Sequence, residues 1–444
     1  MLSHQQAATL SQVRAGTPIG ELLRRYWMPI AAVSELEAKP VIPVRVLGED
    51  LVLYKDSADT VGLLNRWCPH RQFDLAYGTI EECGLRCSYH GWRFDATGRC
   101  LEQPFEEAHN VKTTFKDRVA TTAYPTQRSG GLVWAYLGPS PAPLLPDWAG
   151  FYVPGYTITS FVHVPCNWVQ IMEGFYDPVH VEWLHDRWSY RVRGNDVPHS
   201  RPRHTSFRWI DFEYGSVFQR KLTGSDKWLA DRTVVFPNID AAGGQGWYMT
   251  WLVPVDELNT ILAYRLTITS WKTPFGQIAI PPKATFCQPS IPCHRTVASL
   301  DPLRGPTADF GSHLISQDYA AWLGPGPLVD RTREHLSQSD TGVIMFRNKL
   351  FEQAEVVAAG GDPIATIRDA DKNRRITLPG ARRNYGLNGE GLPGMVGEDD
   401  IMLRAFLPFD LPDSMRQAVA EAMSELVHDA RPMGWKRRGR SKAQ

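Results

Sequence analysis

Residues 68–100 read CPHRQFDLAYGTIEECGLRCSYHGWRFDATGRC. Cys68-Pro-His70 is followed, after sixteen residues, by Cys87-Ser-Tyr-His90, so two Cys/His clips on two loops can each grip metal from one side. A tetrahedral zinc accepts such an S₂N₂ set, and a [2Fe–2S] centre with two thiolates on one iron and two imidazoles on the other needs the same four residues. Gly91 lets the second loop turn tightly, and Asp95 to Gly98 makes the turn after it. Cys83 and Cys100 match neither clip and are expected to be packed thiols.

On either side, from Pro40 to about Leu137, short β-rich runs (PVRVLGEDLVLYKD, TVGLLNRW, GGLVWAYLG) are separated by Gly, Asp and Asn turn residues, as in an all-β module. Upstream, TPIGELLRRYWMPIAAVSEL (17–36) has the pattern of an amphipathic helix capped by Thr17 and closed by Pro29. Downstream, GPSPAPLLPDW (138–148) carries four prolines, which prevent regular helix. The expected organisation is a helical segment over 1–36, an all-β domain over 37–148 and a second domain over 149–444.

In the second domain, 167–186 look helical and 205–275 alternate as strands. Helical period returns after 310 in SQDYAAWLG, VDRTREHLS and DTGVIMFRNKLFEQAEVVAAGG. Strands flanked by helices predict an α+β domain around an antiparallel sheet, with one more helix over 413–430 and a frayed basic tail. In NWVQIMEGFYDPVHVEWLH (167–185), Asn167 with Gln170 predicts a capping box, and Asp177 before Pro178 predicts a second helix start. His180 and His185 are five apart and share no face of a regular helix. They reach one metal only if the helix is distorted, for instance by a π-type bulge.

Composition excludes several classes. With 444 residues and 43% hydrophobic content the chain can bury a large core, and 48 basic against 48 acidic residues leave no footprint for nucleic acid. No apolar run is long enough to span a membrane, and the first residues lack a leader pattern, so a cytoplasmic protein is expected. Seven cysteines point to metal binding or burial rather than disulfides.

CPH–x₁₆–CSYHGW resembles the cluster motif of Rieske iron–sulfur domains of the oxygenase type, since the extra cysteine pair of respiratory Rieske proteins is missing. The resemblance implies a Rieske [2Fe–2S] cluster with Cys68 and Cys87 on one iron and His70 and His90 on the other. Asp177-x-x-His180-x₄-His185 resembles the iron-binding segment of Rieske non-haem iron oxygenases, and Asp318 stands where that family has its aspartate ligand. His180, His185 and Asp318 are thereby expected to hold one mononuclear Fe(II), with Asp330 and Asp340 left as helix caps. A facial triad of this kind leaves coordination positions open. The implied fold is a Rieske domain followed by a helix-grip, START-like catalytic domain.

The match covers nearly the whole chain and is closest to the branch of phthalate 4,5-dioxygenase and the aromatic O-demethylases. One departure is Gly174, where the naphthalene-dioxygenase branch has an Asn near the iron; a glycine there is expected to enlarge the pocket. The resemblance implies a terminal oxygenase whose electrons come from NAD(P)H indirectly, through a separate reductase or ferredoxin, the chain having no dinucleotide fingerprint of its own. It implies a homotrimer in which Asp177 bridges His180 and His90 of the next copy. O-demethylation of a methoxylated, lignin-derived aromatic acid is the leading expectation, with ring hydroxylation or cis-dihydroxylation as the alternative. Phe236, Trp247 and Trp251 are candidates for the substrate pocket, and Arg232 and Arg265 for pairing with a carboxylate. A non-catalytic electron carrier is the contrasting class, and it has no reason to keep the three iron residues together.

Overall fold

The computed structural model describes residues 2–152, 155–187, 203–242, 248–268, 270–273, 276–279, 285–286, 294–298 and 314–379. The expected helix over 413–430, the basic tail, Trp247, Cys287 and Cys293 lie outside these residues.

Two helices open the chain, α1 (His4–Ser11) and α2 (Pro18–Leu23), and Thr17 caps the second by accepting from the Gly20 amide. The helix expected over 17–36 ends at Leu23. Trp27–Ala32 is a strand, β1, buried at all six positions, and Val33–Ala38 is a separate helix, α3. A strand covered on both faces carries an unbroken apolar run that periodicity cannot tell from a buried helix. The next strands are β2 (Val41–Val46), β3 (Glu49–Lys55), β4 (Val61–Asn65), β5 (Thr79–Ile80), β6 (Leu85–Arg86), β7 (Arg93–Phe94) and β8 (Cys100–Glu102). After helix α4 (Pro104–His109) come β9 (Ala123–Tyr124), β10 (Thr126–Ser129) and β11 (Leu132–Tyr136).

These strands form three small sheets, ordered β2-β3-β4-β9, β5-β6-β7-β8 and β1-β11-β10. The first two enclose a compact core of Val52, Tyr54, Leu64, Leu75, Leu85 and Phe94 in which Cys68 and Cys87 are buried. The third belongs to the main core, where Trp134 meets Trp251 edge to face with ring centroids 5.2 Å apart. Residues 138–147 carry neither helix nor strand, as their prolines require.

The second half is built on β12 (Gly155–Val164), α5 (Trp168–Phe175), a π-helical turn over Val181–Arg187, then β13 (His204–Phe212), β14 (Gly215–Leu222), β15 (Leu229–Val235), β16 (Ile239–Ala242), β17 (Tyr248–Asp256) and β18 (Asn259–Ile268). A hairpin β19–β20 (Ser270–Thr273, Gly276–Ala279), short strands β21 (Thr285–Phe286) and β22 (His294–Val297), and helices α6 (Leu314–Leu323) and α7 (Thr341–Ala358) follow. Strands β13 to β18 pair antiparallel in sequence order and β12 joins β18 the same way, while β21 and β22 lie parallel to β12, completing a nine-stranded sheet. Helix α5 packs beside it and contacts both α6 and α7.

VDRTREHLS, expected to be helical, is turn and extended chain instead. Asp330 Oδ1 accepts from the amide and hydroxyl of Thr332, a local turn that competes with helix. Its neighbour Arg331 is drawn fully into the interior.

Candidate metal centres

Each clip is a tight turn. The Cys68 amide donates to Phe73 O at 2.8 Å and the Gln72 amide returns to Cys68 O, with Gln72 at φ +58°. The Cys87 amide donates to Trp92 O at 2.8 Å, and Gly91, at φ +77°, closes the second loop onto Cys87 O. Both cysteines are buried while the histidines lie nearer the surface.

The thiols of Cys68 and Cys87 act on each other. The hydrogen bond from Cys68 pulls the Cys87 thiol down to about 6 and pushes Cys68 well up. The rings of His70 and His90 pack edge to face at 4.4 Å, and Trp92 stacks on His70 at 4.3 Å. Burial holds His70 below its ordinary value, and its Nδ1 is buried with no hydrogen-bond partner.

The donors therefore gather as a sulfur pair and a nitrogen pair. A single zinc, with bonds of about 2.0–2.3 Å, would draw all four within roughly 4 Å of one another. No three of them lie within 4.8 Å of each other, so the arrangement suits two metal ions better than one. Cys100 is buried as expected, whereas Cys83 is exposed, a correction to its reading as a packed thiol.

The second centre starts from α5, capped by Asn167 Oδ1 at the Val169 amide. The expected capping box is not made. Gln170 instead donates to Gly326 O at 2.9 Å and accepts from the Val329 amide at 2.9 Å, tying α5 to the chain after α6. Asp177 starts the next turn, its Oδ1 accepting from Val179 N at 2.8 Å and His180 N at 3.4 Å. Beyond it the chain widens into the π-helical turn, the distortion that lets His180 and His185 converge, with ring centroids 5.0 Å apart.

Asp318, on α6, meets both histidines. Its Oδ1 lies 3.1 Å from His185 Nε2 and 3.7 Å from His180 Nε2, and among the described residues these three are the one group of at least three donors within 4.8 Å. At metal–donor bonds of about 2.1 Å, one edge of an octahedron is roughly 3 Å, so two imidazoles and a carboxylate at this spacing fit one face of a six-coordinate ion. Burial pushes Asp318 up, but the His185 charge and hydrogen bond outweigh it and hold the carboxyl below its usual range. His185 mirrors this: burial lowers it, Asp318 and Gln317 raise it, and the net shift is upward.

A cleft of about 260 Å³ opens at His180 and Asp318 and runs past Asp177, Gly174 and Trp322. The room expected beside Gly174 is largely taken, since a Cβ there would collide with the Trp322 indole nitrogen. Asp177 Oδ2 is 3.6 Å from His180 Nδ1, too long for a hydrogen bond.

Phe236 and Trp251 are core, 1% exposed each. Arg265, a candidate for pairing with a carboxylate, is buried and donates to Gly150 O at 2.8 Å. Asp340 accepts from the Ser337 amide and Asp330 closes its own turn, and neither belongs to the group of three donors within 4.8 Å.

Two groups escaped the sequence reading. Gln317, fully buried next to Asp318, places Oε1 3.0 Å from His185 Nδ1 and so directs Nε2 at Asp318. Glu173 on α5 is gripped bidentately by buried Arg331 at 2.9 and 3.0 Å, and by Arg347 at 2.7 Å, which also holds Glu334. A charged residue on a helix as apolar as WVQIMEGF was the available signal for a buried partner.

Residues 26–122 match the Rieske [2Fe-2S] domain. The chain is 39% identical over 431 residues, 95% of its length and 97% of the relative's, to the 5,5'-dehydrodivanillate O-demethylase oxygenase subunit of Sphingobium sp. (strain NBRC 103272 / SYK-6). The chain belongs to the Rieske non-haem iron oxygenases. A second relative of this Rieske oxygenase, the phthalate 4,5-dioxygenase oxygenase subunit of Pseudomonas putida, is 29% identical over 84% of this chain and 91% of its own. Its fold matches the terminal oxygenase of carbazole 1,9a-dioxygenase from Novosphingobium sp. KA1, with TM-score 0.54 at 18% identity over 82% of this chain and 98% of that one. The protein is thus the terminal oxygenase component, an enzyme carrying a [2Fe–2S] cluster, and not a bare electron carrier. Among the described residues, no helix is long and apolar enough to cross a membrane.

Proposed function

We propose that this Rieske oxygenase O-demethylates a methoxylated, lignin-derived aromatic acid. The observation that carries the reading is the 39% identity, along almost the whole chain, to an oxygenase subunit named for the demethylation of 5,5'-dehydrodivanillate. In the proposed assignment Cys68 and Cys87 take one iron of the cluster and His70 and His90 the other, supported by the pairing of thiols and rings and by the unpartnered His70 Nδ1. His180, His185 and Asp318 hold the mononuclear iron, supported by their convergence. When bound, the two centres supply electron storage and O₂ activation.

The chain's own groups do the rest. Gln317 keeps the His185 proton on Nδ1, and Glu173, Arg331 and Arg347 fix the helix that leads into Asp177 and His180. Asp177 is the proposed bridge to His90 of a neighbouring copy. Tyr77, Tyr89 and Phe105 near the clips, and Trp183 near the triad, are exposed apolar side chains that suit contacts between copies in a homotrimer. Electrons come from NAD(P)H through a separate reductase or ferredoxin, in keeping with relatives named as one subunit among several.

Hydroxylating the methoxy carbon of the substrate gives a hemiacetal that collapses to phenol and formaldehyde. One O₂ and two electrons are consumed per formaldehyde, and the second oxygen atom leaves as water. The test is turnover of a panel of methoxylated aromatic acids with a reductase, following formaldehyde and O₂. Equal amounts support the reading; a cis-dihydrodiol without formaldehyde replaces it with ring dihydroxylation, the activity suggested by the phthalate 4,5-dioxygenase relative. Asp318→Ala should abolish product and mononuclear iron while the cluster absorbance stays, and normal turnover would move the third ligand elsewhere.

A further inference from the structure

Four neighbouring strands bring polar side chains to one face of the large sheet. Asp240 on β16 lies opposite Val234 on β15 and Thr250 on β17, and Thr250 lies opposite Tyr264 on β18. Directly opposed residues share a face, and so do residues two apart along a strand, which adds Arg232 and Tyr248 to the same side. The other side, with Trp251 and Ala263, packs on Trp134 and its neighbours.

The polar face looks toward the metal residues. The Arg232 guanidinium lies over the Phe175 ring of α5 at 5.4 Å, and its charge acts on both His185 and Asp318. The negative charges of Asp240 and Asp318 act on each other, and Tyr319, next to Asp318, reaches Tyr264 on the sheet. Asp240 is 1% exposed, and its Oδ1 has no hydrogen-bond partner.

Arg232 Nε stands 3.5 Å from that oxygen. The distance offsets charge but is no hydrogen bond. A buried acceptor left without a donor costs about 1–3 kcal/mol, so a donor carried by a ligand is favoured there. Burial raises the Asp240 carboxyl to about 6, so at neutral pH it is still mostly an anion. A second carboxylate is repelled there and an ether offers no proton. A hydroxyl flanked by aromatic ring suits both the acceptor and the tyrosines around it.

We propose that Asp240 binds a phenolic hydroxyl of the aromatic substrate, accepting its hydrogen bond at Oδ1, and thereby selects phenols over their methyl ethers. The proposal rests on the reading of the substrate as a methoxylated aromatic acid and adds which further group the site requires. Anchoring the hydroxyl also holds an ortho methoxy group at a fixed offset from the anchor.

The experiment is anaerobic titration of holoenzyme, read by tryptophan fluorescence, with 5,5'-dehydrodivanillate and with the same compound methylated at both phenols. No turnover is needed, so binding preference and formaldehyde release are independent readouts. Wild type should bind the free phenol about 10- to 100-fold more tightly, the range for a hydrogen bond to a charged group. Asp240→Leu should erase the preference, and Asp240→Asn, which keeps shape and one acceptor but not the charge, should reduce it, each with unchanged cluster absorbance. If the leucine variant does not fold, the asparagine variant carries the test. Absence of phenol binding or of preference in wild type, or an undiminished preference in the variants, overturns the assignment. Preference without formaldehyde release upholds Asp240 and removes O-demethylation.

Discussion

Replacing Gln317 by leucine isolates one hydrogen bond in the proposed iron site. In the native protein Gln317 Oε1 lies 3.0 Å from His185 Nδ1, with the glutamine 0% and the histidine 4% exposed. Leucine fills similar space without an acceptor. The Nδ1 proton then has no partner in a place water does not reach, which costs about 1–3 kcal/mol, and the imidazole is no longer held with Nε2 toward Asp318. Removing the group that orients a metal-bound histidine typically weakens metal binding by about 10- to 100-fold. The assay is equilibration of Gln317→Leu with graded chelator, counting iron retained against cluster absorbance as an internal standard. Gln317→Glu, which keeps an acceptor at that place, should retain more iron than the leucine variant and so separates loss of the acceptor from loss of the amide. Unchanged iron affinity in Gln317→Leu, with the cluster intact, would refute this role.

Three other outcomes are expected. Iron uptake at the triad should weaken as pH falls: Asp318 holds His185 above its ordinary value, metal binding needs the neutral ring, and more of that ring is protonated at pH 6 than at pH 8; equal loading at both would contradict it. Asp177→Asn should keep the fold and both centres, because Asn caps the turn at Val179 equally well, yet slow reoxidation of the reduced cluster in a single turnover with substrate and O₂; wild-type rates would remove the bridging role. Arg331→Met leaves Glu173 short of its bidentate partner and should cost about 3–5 kcal/mol in denaturant unfolding, whereas a loss under 1 kcal/mol would mean that Arg347 alone suffices.

The two clips were legible because each packs its donors into three or four consecutive residues, so the metal requirement is written locally. His180 and His185 were singled out by resemblance, and their five-residue spacing foretold the widened helix. Asp318 could be set beside them only by resemblance, since nothing near it in sequence points to the histidines it meets. Gln317, Arg331 and Asp240 have roles defined wholly by what tertiary folding brings against them. Burial misled the reading of 17–36, where β1 pairs with β11 and both faces are covered. It also hid the turn at Asp330, whose side chain satisfies Thr332 while Arg331 is pulled toward Glu173.

The π-helical turn makes the proposed iron site a matter of chain length as much as of side-chain identity. One surplus residue between the histidines is what the wider turn absorbs, and Trp183, 58% exposed, lies within it. Deleting Trp183 would shorten the interval to four, the spacing at which an ordinary α-helix already stacks two side chains on one face. The same pair of imidazoles is therefore within reach of two helical pitches that differ by one residue. Insertions and deletions here redraw the geometry in single steps, while most substitutions on the exposed side of the turn leave it alone.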